Sequence, residues 1–309
     1  MQDSSISARA ARNAHELGTP WSADLNKSEI GSSRSTRTSN SPNNPVVEAY
    51  SKLADVYDDP ANLDSCWGHV AEHSLSVISL RDTHRTVVDV GCGTGRELMK
   101  LASTHQGVQF VGVEPAANMR NLAAQRAAGS ANVRILEGRF ESLPLETDSV
   151  DYLYSILAFH WTTDLQKSVE ELARVLRPNG EMDLTFIGRH NGREFIRKTT
   201  PVFLRYMTLA NMVGAVSLRK QLPVDEATAL FQRAFGSDGL TVSESYHTFH
   251  DTLEGHMAWW VRIEGQFVNI APDKRADCNE AVRDAIATLQ TPAGIPYTVH
   301  LLHVRLRRS

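Results

Sequence analysis

The segment VVDVGCGTGRE, residues 87–97, sets Gly91, Gly93 and Gly95 between a short apolar run and a helix-forming one. Glycines are needed where backbone must turn tightly and let a ligand approach with no Cβ in the way. Further on, VGVEP (111–115) ends a second apolar run on Glu114. A carboxylate there can accept two hydrogen bonds from a ribose diol. Glycine loop and acidic strand end together point to an adenosine-type ligand. The dinucleotide spacing G-x-G-x-x-G would require glycine at Arg96 or Leu98, and neither is glycine. No Gly-Lys-Ser/Thr follows, so a phosphate-cradling P-loop is excluded as well. The ligand therefore need not carry a pyrophosphate.

His160-Trp161 is the second chemical signal. The pair follows the apolar run VDYLYSIL (150–157), at the sheet end where open α/β folds bind ligands. A histidine with an unperturbed pKa near 6.5 is mostly neutral at physiological pH and can serve as a general base. Its plain alternative is a packing residue at a strand end. His190, His247, His250, His300 and His303 read as surface or strand residues.

These residues need a scaffold, and the periodicity supplies one. Apolar runs at 86–90, 109–114, 132–138, 150–157 and 181–188 read as strands, separated by helix-forming stretches at 96–104, 116–128 and 165–176. Such alternation implies a parallel sheet with helices on both faces. Residues 46–57 and 64–80 read as two entry helices. Residues 189–237 break the rhythm and read as a helical cap over one end of the sheet. Residues 240–251 and 297–307 alternate apolar and polar residues like half-buried strands near an edge, joined by a helical stretch over roughly 253–290. Trp259-Trp260 within it reads as additional core.

Composition narrows the classes. The chain has 309 residues, 41% hydrophobic and 22% charged, in the ordinary globular range. Length alone allows one large domain or two small ones, and the resemblance given below implies one over 46–309. Residues 31–45 hold no large apolar side chain, so 1–45 is expected to be a disordered tail, with Leu17, Trp21 and Leu25 as its one candidate helical turn. A net charge of −4 gives no electrostatic reason to expect nucleic acid. Three scattered cysteines match neither a zinc spacing nor a disulfide framework, so no metal is expected. The longest apolar-leaning run, about 206–218, is too short to span a membrane, and a cytoplasmic protein with no membrane partner is expected.

As a set, VDVGCGTG, VGVEP with Asn118-Met119, EGRFESLP, SVDYLYSILAFHW and RVLRPNG resemble the small-molecule methyltransferases that use S-adenosylmethionine (SAM). These are the relatives of the trans-aconitate, malonyl-carrier-protein and juvenile-hormone-acid O-methyltransferases and of the ubiquinone and menaquinone C-methylases. The resemblance spans residues 46–188. It implies a Rossmann-like, seven-stranded, mostly parallel α/β sheet with an antiparallel last strand and a helical cap over the acceptor side. It also implies SAM as cofactor, with S-adenosylhomocysteine as product, and a small-molecule acceptor methylated on O, C or N, with a tilt toward carboxyl or hydroxyl oxygen.

Carried over residue by residue, Asp89, Gly91, Cys92 and Gly93 hold the methionine part, and Glu114 binds the ribose. Pro115 and Met119 border the adenine, Arg139 and Phe140 sit at its edge, and Ser155 and Tyr57 complete the set. Where the family most often has aspartate, this chain has Arg139, which cannot accept a hydrogen bond from the adenine amino group. A backbone carbonyl or Glu141 must do so instead. His160 is the candidate base or acceptor contact, and Trp161, Phe195, Phe203 and Tyr206 are candidate acceptor-pocket residues. The Asp/Asn-Pro-Pro-Tyr/Phe motif of nucleic-acid amino-methylating enzymes is absent from 155–158. An NAD(P)-dependent oxidoreductase and a non-catalytic SAM-binding protein are the alternatives.

Overall fold

Strand β1 (Thr86–Val90) carries Val87 and Val88 on opposite faces, and both are fully buried. A strand covered on both sides reads as a continuous apolar run, and this one lies at the centre of a seven-stranded sheet. In a computed structural model, which describes residues 44–262, 265 and 268–309, the strand order is β3-β2-β1-β4-β5-β7-β6. The partners are β2 (Gln109–Val113), β3 (Val133–Leu136), β4 (Val150–Ile156), β5 (Leu176–Ile187), β6 (Leu240–Asp251) and β7 (Ile295–Arg307). Strands β3, β2, β1, β4 and β5 pair in parallel, and β7 inserts antiparallel between β5 and β6. The sheet expected from the resemblance, antiparallel last strand included, is the sheet observed. All but Asn44 and Pro45 of the expected tail, with its Leu17, Trp21 and Leu25, lies outside the described residues.

The N-terminal helices are α1 (Pro45–Tyr57), α2 (Pro60–Leu63) and α3 (Cys66–Ser76). Asn44 caps α1 by accepting the amides of Val46 and Val47, and Pro45 occupies the first turn, where its missing N–H costs nothing. The single helix expected over 64–80 is instead α2 and α3. They are parted at Asp64-Ser65, where the Ser65 hydroxyl donates to the Asn62 carbonyl at 2.6 Å.

Helices α4 (Arg96–Thr104), α5 (Ala117–Ala127) and α6 (Leu165–Val175) cross over between the parallel strands. Leu98, Leu101 and Ala102 of α4 bury against Val87, Phe110 and Tyr152 on one face. Val169 and Leu172 of α6 bury against Val88, Leu153 and Phe186 on the other.

The segment 189–237 divides into α7 (Arg193–Tyr206), α8 (Leu209–Ser217) and α9 (Val224–Phe235). The cap expected over all of it is narrower than that. Helix α9 packs on α6 and β6 and buries Ala227 and Phe231 in the sheet core. The helical stretch expected over 253–290 resolves into α10 (Leu253–Arg262) and α11 (Arg275–Ala287), while residues 263–264 and 266–267 lie outside the described residues. Cys278, Val282 and Ile286, one turn apart on α11, join Phe195, Trp260 and Tyr297 in a second, aromatic core.

One short 3₁₀ turn, Phe159–Trp161, links the two regions. Phe159 is fully buried, with ring centroids of Phe186 at 5.0 Å, Phe140 at 5.2 Å and Phe231 at 5.5 Å. This anchor holds the neighbouring His160 and Trp161 at the sheet's edge. Phe159→Ala is expected to lower unfolding free energy by about 3–5 kcal/mol in a denaturant titration. A loss below about 1 kcal/mol would show that the turn is held by other means.

Candidate functional site

Strand β1 sits where the strand order reverses, so the connections leaving β1 and β4 diverge and leave a crevice at the carboxyl end of the sheet. After Val90 the chain turns through Gly91 and Gly93, with φ of 80° and 57°. A Cβ at Gly91 would lie 2.4 Å from the Cβ of Ala158, so close packing excludes a side chain there. A Cβ at Gly93 would meet nothing within 4 Å, because the space beside it is open cleft.

Glu114, just past β2, reaches back to this loop. Its Oε2 accepts the Gly93 amide at 2.9 Å and its Oε1 the Ala116 amide at 2.8 Å. Burial pushes its pKa up, and the two amides act in the opposite direction. Each carboxylate oxygen keeps a lone pair for a ribose hydroxyl. Gly91, Gly93, Glu114, Pro115, Met119, Arg139, Phe140 and Tyr57 all line this one cleft. Tyr57 comes from α1, with the Tyr50 ring edge-on at 6.0 Å. Arg120 donates to the Glu114 and Pro115 carbonyls and fixes that wall.

A second recess adjoins the first. It is lined by Asp89, Cys92 and Glu97 together with Asn62, Thr94 and Arg96. Burial, with Glu97 adding to it, holds the Asp89 carboxyl well above its ordinary range. Burial likewise raises the Cys92 thiol, which packs inward near Gly112. Asn62 donates from Nδ2 to the Tyr57 carbonyl at 2.7 Å, and its Oδ1 is buried with no partner among the described residues. Such an acceptor beside Asp89 suits an ammonium group. Arg96 is paired with Glu97 at 2.6 Å, and the other N–H groups of its guanidinium suit a carboxylate. Cleft and recess together fit a nucleoside carrying an amino acid.

At the end of the cleft where the resemblance implies adenine, Arg139 closes a tight bridge with Ser142, each donating its amide to the other's carbonyl. Glu141 Oε1 already accepts from the Thr162 and Thr163 hydroxyls and the Thr163 and Asp164 amides. Only its Oε2 is left for an adenine amino group. Ser155 is not brought to the cleft. Its hydroxyl donates to the Val90 carbonyl at 2.7 Å and ties β4 to the end of β1.

The third space, of about 490 Å³, lies under the cap helices. Trp161, Phe195, Phe203 and Met207 line it, as do Trp259 and Tyr297. Tyr206 packs beside the aromatic core and is not brought to the lining. Among the described lining residues there are two cations, Arg189 and Arg219, and no carboxylate.

Between this cavity and the cofactor cleft is a small chamber walled by Tyr57, Asn62, His160, Trp161, Arg219 and Trp259. The Arg219 guanidinium lies over the Trp161 ring, 4.7 Å from its centroid. His160 is 1% exposed, and burial, then Arg219, drives its pKa well below the usual value, so it is neutral at pH 7. His160 Nδ1 and Trp259 Nε1 are buried without partners among the described residues. An unmade buried hydrogen bond costs about 1–3 kcal/mol, which a ligand bonding there recovers. Asn62, Arg219 and Trp259 went unsingled in the sequence. Trp259 and Trp260 are both buried in the aromatic core, as the sequence suggests, and both also line the cavity. The acid-free run around Arg219 is the one signal the sequence offers.

Residues 88–182 match the methyltransferase domain family. The chain is 34% identical over 138 residues to the malonyl-[acyl-carrier protein] O-methyltransferase of Yersinia pestis, covering 44% of this chain and 47% of that protein. To a malonyl-[acyl-carrier protein] O-methyltransferase of Coxiella burnetii it is 30% identical over 145 residues, 47% of this chain and 48% of that protein. The chain thus spans about half the length of these relatives. The YcgJ protein of Bacillus subtilis superposes with a TM-score of 0.53 at 21% identity, over 78% of this chain and 99% of that one, a likeness of fold.

Glu114→Ala is expected to weaken SAM binding by about 100-fold, since two hydrogen bonds to a charged group are lost. Calorimetry with SAM, S-adenosylhomocysteine, NAD and NADP reads this directly. Binding of NAD or NADP in place of SAM would overturn the reading of the glycine spacing.

Proposed function

We propose that this chain, whose residues 88–182 match the methyltransferase domain family, is a class I SAM-dependent methyltransferase that methylates a carboxylate oxygen of an apolar small-molecule acid. One observation carries the choice of acceptor. The cavity beyond the cofactor cleft is aromatic and apolar, with Arg189 and Arg219 in its lining and no carboxylate among the described lining residues. Such a lining favours an anion with an apolar body over an amine. The names of the two carrier-protein relatives, both O-methyltransferases, support the same choice.

When bound, SAM offers a methyl group on a positively charged sulfur, open to in-line displacement by an acceptor atom. In this reading Glu114 binds the ribose, Met119, Pro115 and Phe140 border the adenine, and Asp89, Asn62 and Arg96 hold the methionine end. Arg219 and the Trp259 N–H orient the acceptor carboxylate in the small chamber. His160 is neutral and contributes a hydrogen bond through Nδ1; a carboxylate is already deprotonated and needs no base. Trp161 walls cleft, chamber and cavity alike, and excludes water where they meet. Holding two reactants in line can supply about 7–11 kcal/mol of the barrier at best, so positioning is the main contribution of these residues.

Label transferred from methyl-labelled SAM to a panel of apolar carboxylic acids is expected to be base-labile, as an ester is. Base-stable product would move the acceptor to a hydroxyl, carbon or nitrogen. His160→Ala is expected to lower kcat by less than about tenfold with a carboxylate acceptor, against about 10²–10⁴ for a base-dependent one. Because the folded protein holds the His160 pKa well below 6.5, its charged form should not appear between about pH 6 and 8, and kcat should stay level there. A fall in rate as pH drops through that window, lost in His160→Ala, would assign His160 as base.

A further inference from the structure

Helix α8 (Leu209–Ser217) reads LANMVGAVS, without a charge, and none of its residues is buried. Its Met212 and Ala215 line the acceptor cavity. Leu209 and Val213, one turn apart, face outward at 75% and 62% exposure. Val216, a further turn on at 77%, lies at the cavity's edge. On α7, Ile196 and Leu204 are exposed as well. Of the nine exposed large apolar side chains among the described residues, five fall between 196 and 216, on two consecutive helices.

The charge around the patch is equally uneven. From Phe195 to Val224 the chain has five cations and no aspartate or glutamate, in a protein whose net charge is −4. Arg219 faces the inner chamber, which leaves Arg197, Lys198, Arg205 and Lys220 to flank the patch. A short amphipathic surface with projecting aliphatic side chains and one sign of flanking charge matches the interfacial region of an anionic bilayer. The exposed residues are isoleucine, leucine and valine. Protein interfaces draw their energy chiefly from tryptophan, tyrosine and arginine, with leucine and valine under-represented.

We propose that the outward face of α7 and α8 docks on an anionic phospholipid surface, with α8 lying flat in the headgroup region. The helix is a thin wall, with lipid-facing aliphatics on one side and the acceptor cavity on the other. An apolar acid dissolved in the bilayer then reaches the cavity without crossing water. The absence of a spanning segment in the sequence bears only on crossing the membrane, and a surface helix is a different mode. Only the nature of the cargo rests on the acceptor reading above; the docking itself does not.

The test is cosedimentation of the full chain with vesicles of phosphatidylcholine and phosphatidylglycerol in equal parts, and with phosphatidylcholine alone, at about 0.15 M salt. Binding to the anionic vesicles is expected to be at least about tenfold tighter, and to weaken as salt rises. The triple variant Leu204→Gln, Leu209→Gln, Val213→Gln should lose vesicle binding by about tenfold or more. Its thermal midpoint and SAM affinity should stay at the wild-type values. No preference for anionic vesicles overturns the proposal. So does undiminished binding by the triple variant, which would assign the contact to another part of the chain. Binding of an acidic carrier protein through the same residues, without vesicle binding, would make the partner a protein. SAM calorimetry on the same samples separates the two readings, because vesicle binding without SAM binding would sink the methyltransferase and leave the surface.

Discussion

A carboxylate that is 7% exposed and accepts two backbone amides, one from each of two loops, ties the ligand-binding end of this molecule together. Glu114 grips the Gly93 amide from the β1 loop and the Ala116 amide where α5 begins. The loop conformations and the charge depend on each other. The amides oppose the rise in pKa that burial causes and so favour the charged carboxylate, the form that can hold a diol with both oxygens. Without the carboxylate, two buried N–H groups would compete for water at the floor of the cleft. Binding geometry is thus set before any ligand arrives, which lowers the ordering cost of binding.

The acceptor side is assembled differently. Its walls come from α1 and α2, the 3₁₀ turn at 159–161, α7, α8, α10 and β7, elements spread over most of the described chain. They meet around aromatic rings more than around hydrogen bonds. Phe195 lies 5.9 Å from Trp259 and 5.7 Å from Trp260, and Tyr297 lies 5.2 Å from Trp259. Aromatic contacts tolerate small shifts that a bidentate carboxylate does not. A rigid half around the glycine loop and a more adaptable half around the aromatic cavity follow from these two kinds of contact.

The cofactor half was legible in the sequence because its signals are local. Gly91, Gly93 and Glu114 lie within 24 consecutive residues, and each strand that delivers them is short, apolar and followed by a helix. The order of strands and the inserted β7 followed from the resemblance, and periodicity gave only the edge-like alternation of 240–251 and 297–307. What stayed hidden depends on distant pairing. Glu141 looked available to adenine until Thr162 and Thr163, 21 and 22 residues on, proved to occupy one of its oxygens. Ser155 has the residue type for a ligand contact, but only the register of β4 against β1 turns it to the Val90 carbonyl. Trp259 and Trp260 both sit in the aromatic core and both line the cavity, but only Trp259 also reaches the small chamber, a difference of helix phase that composition does not show.

The place of β7 in the sheet bears on how the protein is made. Strand β6 has β7 as its only sheet neighbour, and β5 has it on one side, although nearly 110 residues separate β5 from β7 in the chain. During synthesis the five parallel strands and their crossover helices emerge first and can bury their shared core. The edge of β5, and all of β6, must wait with unpaired backbone until residues 295–307 leave the ribosome. An unpaired edge is a template for association with other chains. The cleft at the glycine loop can therefore exist before the aromatic cavity does, since Tyr297 of that last strand completes the cavity's wall.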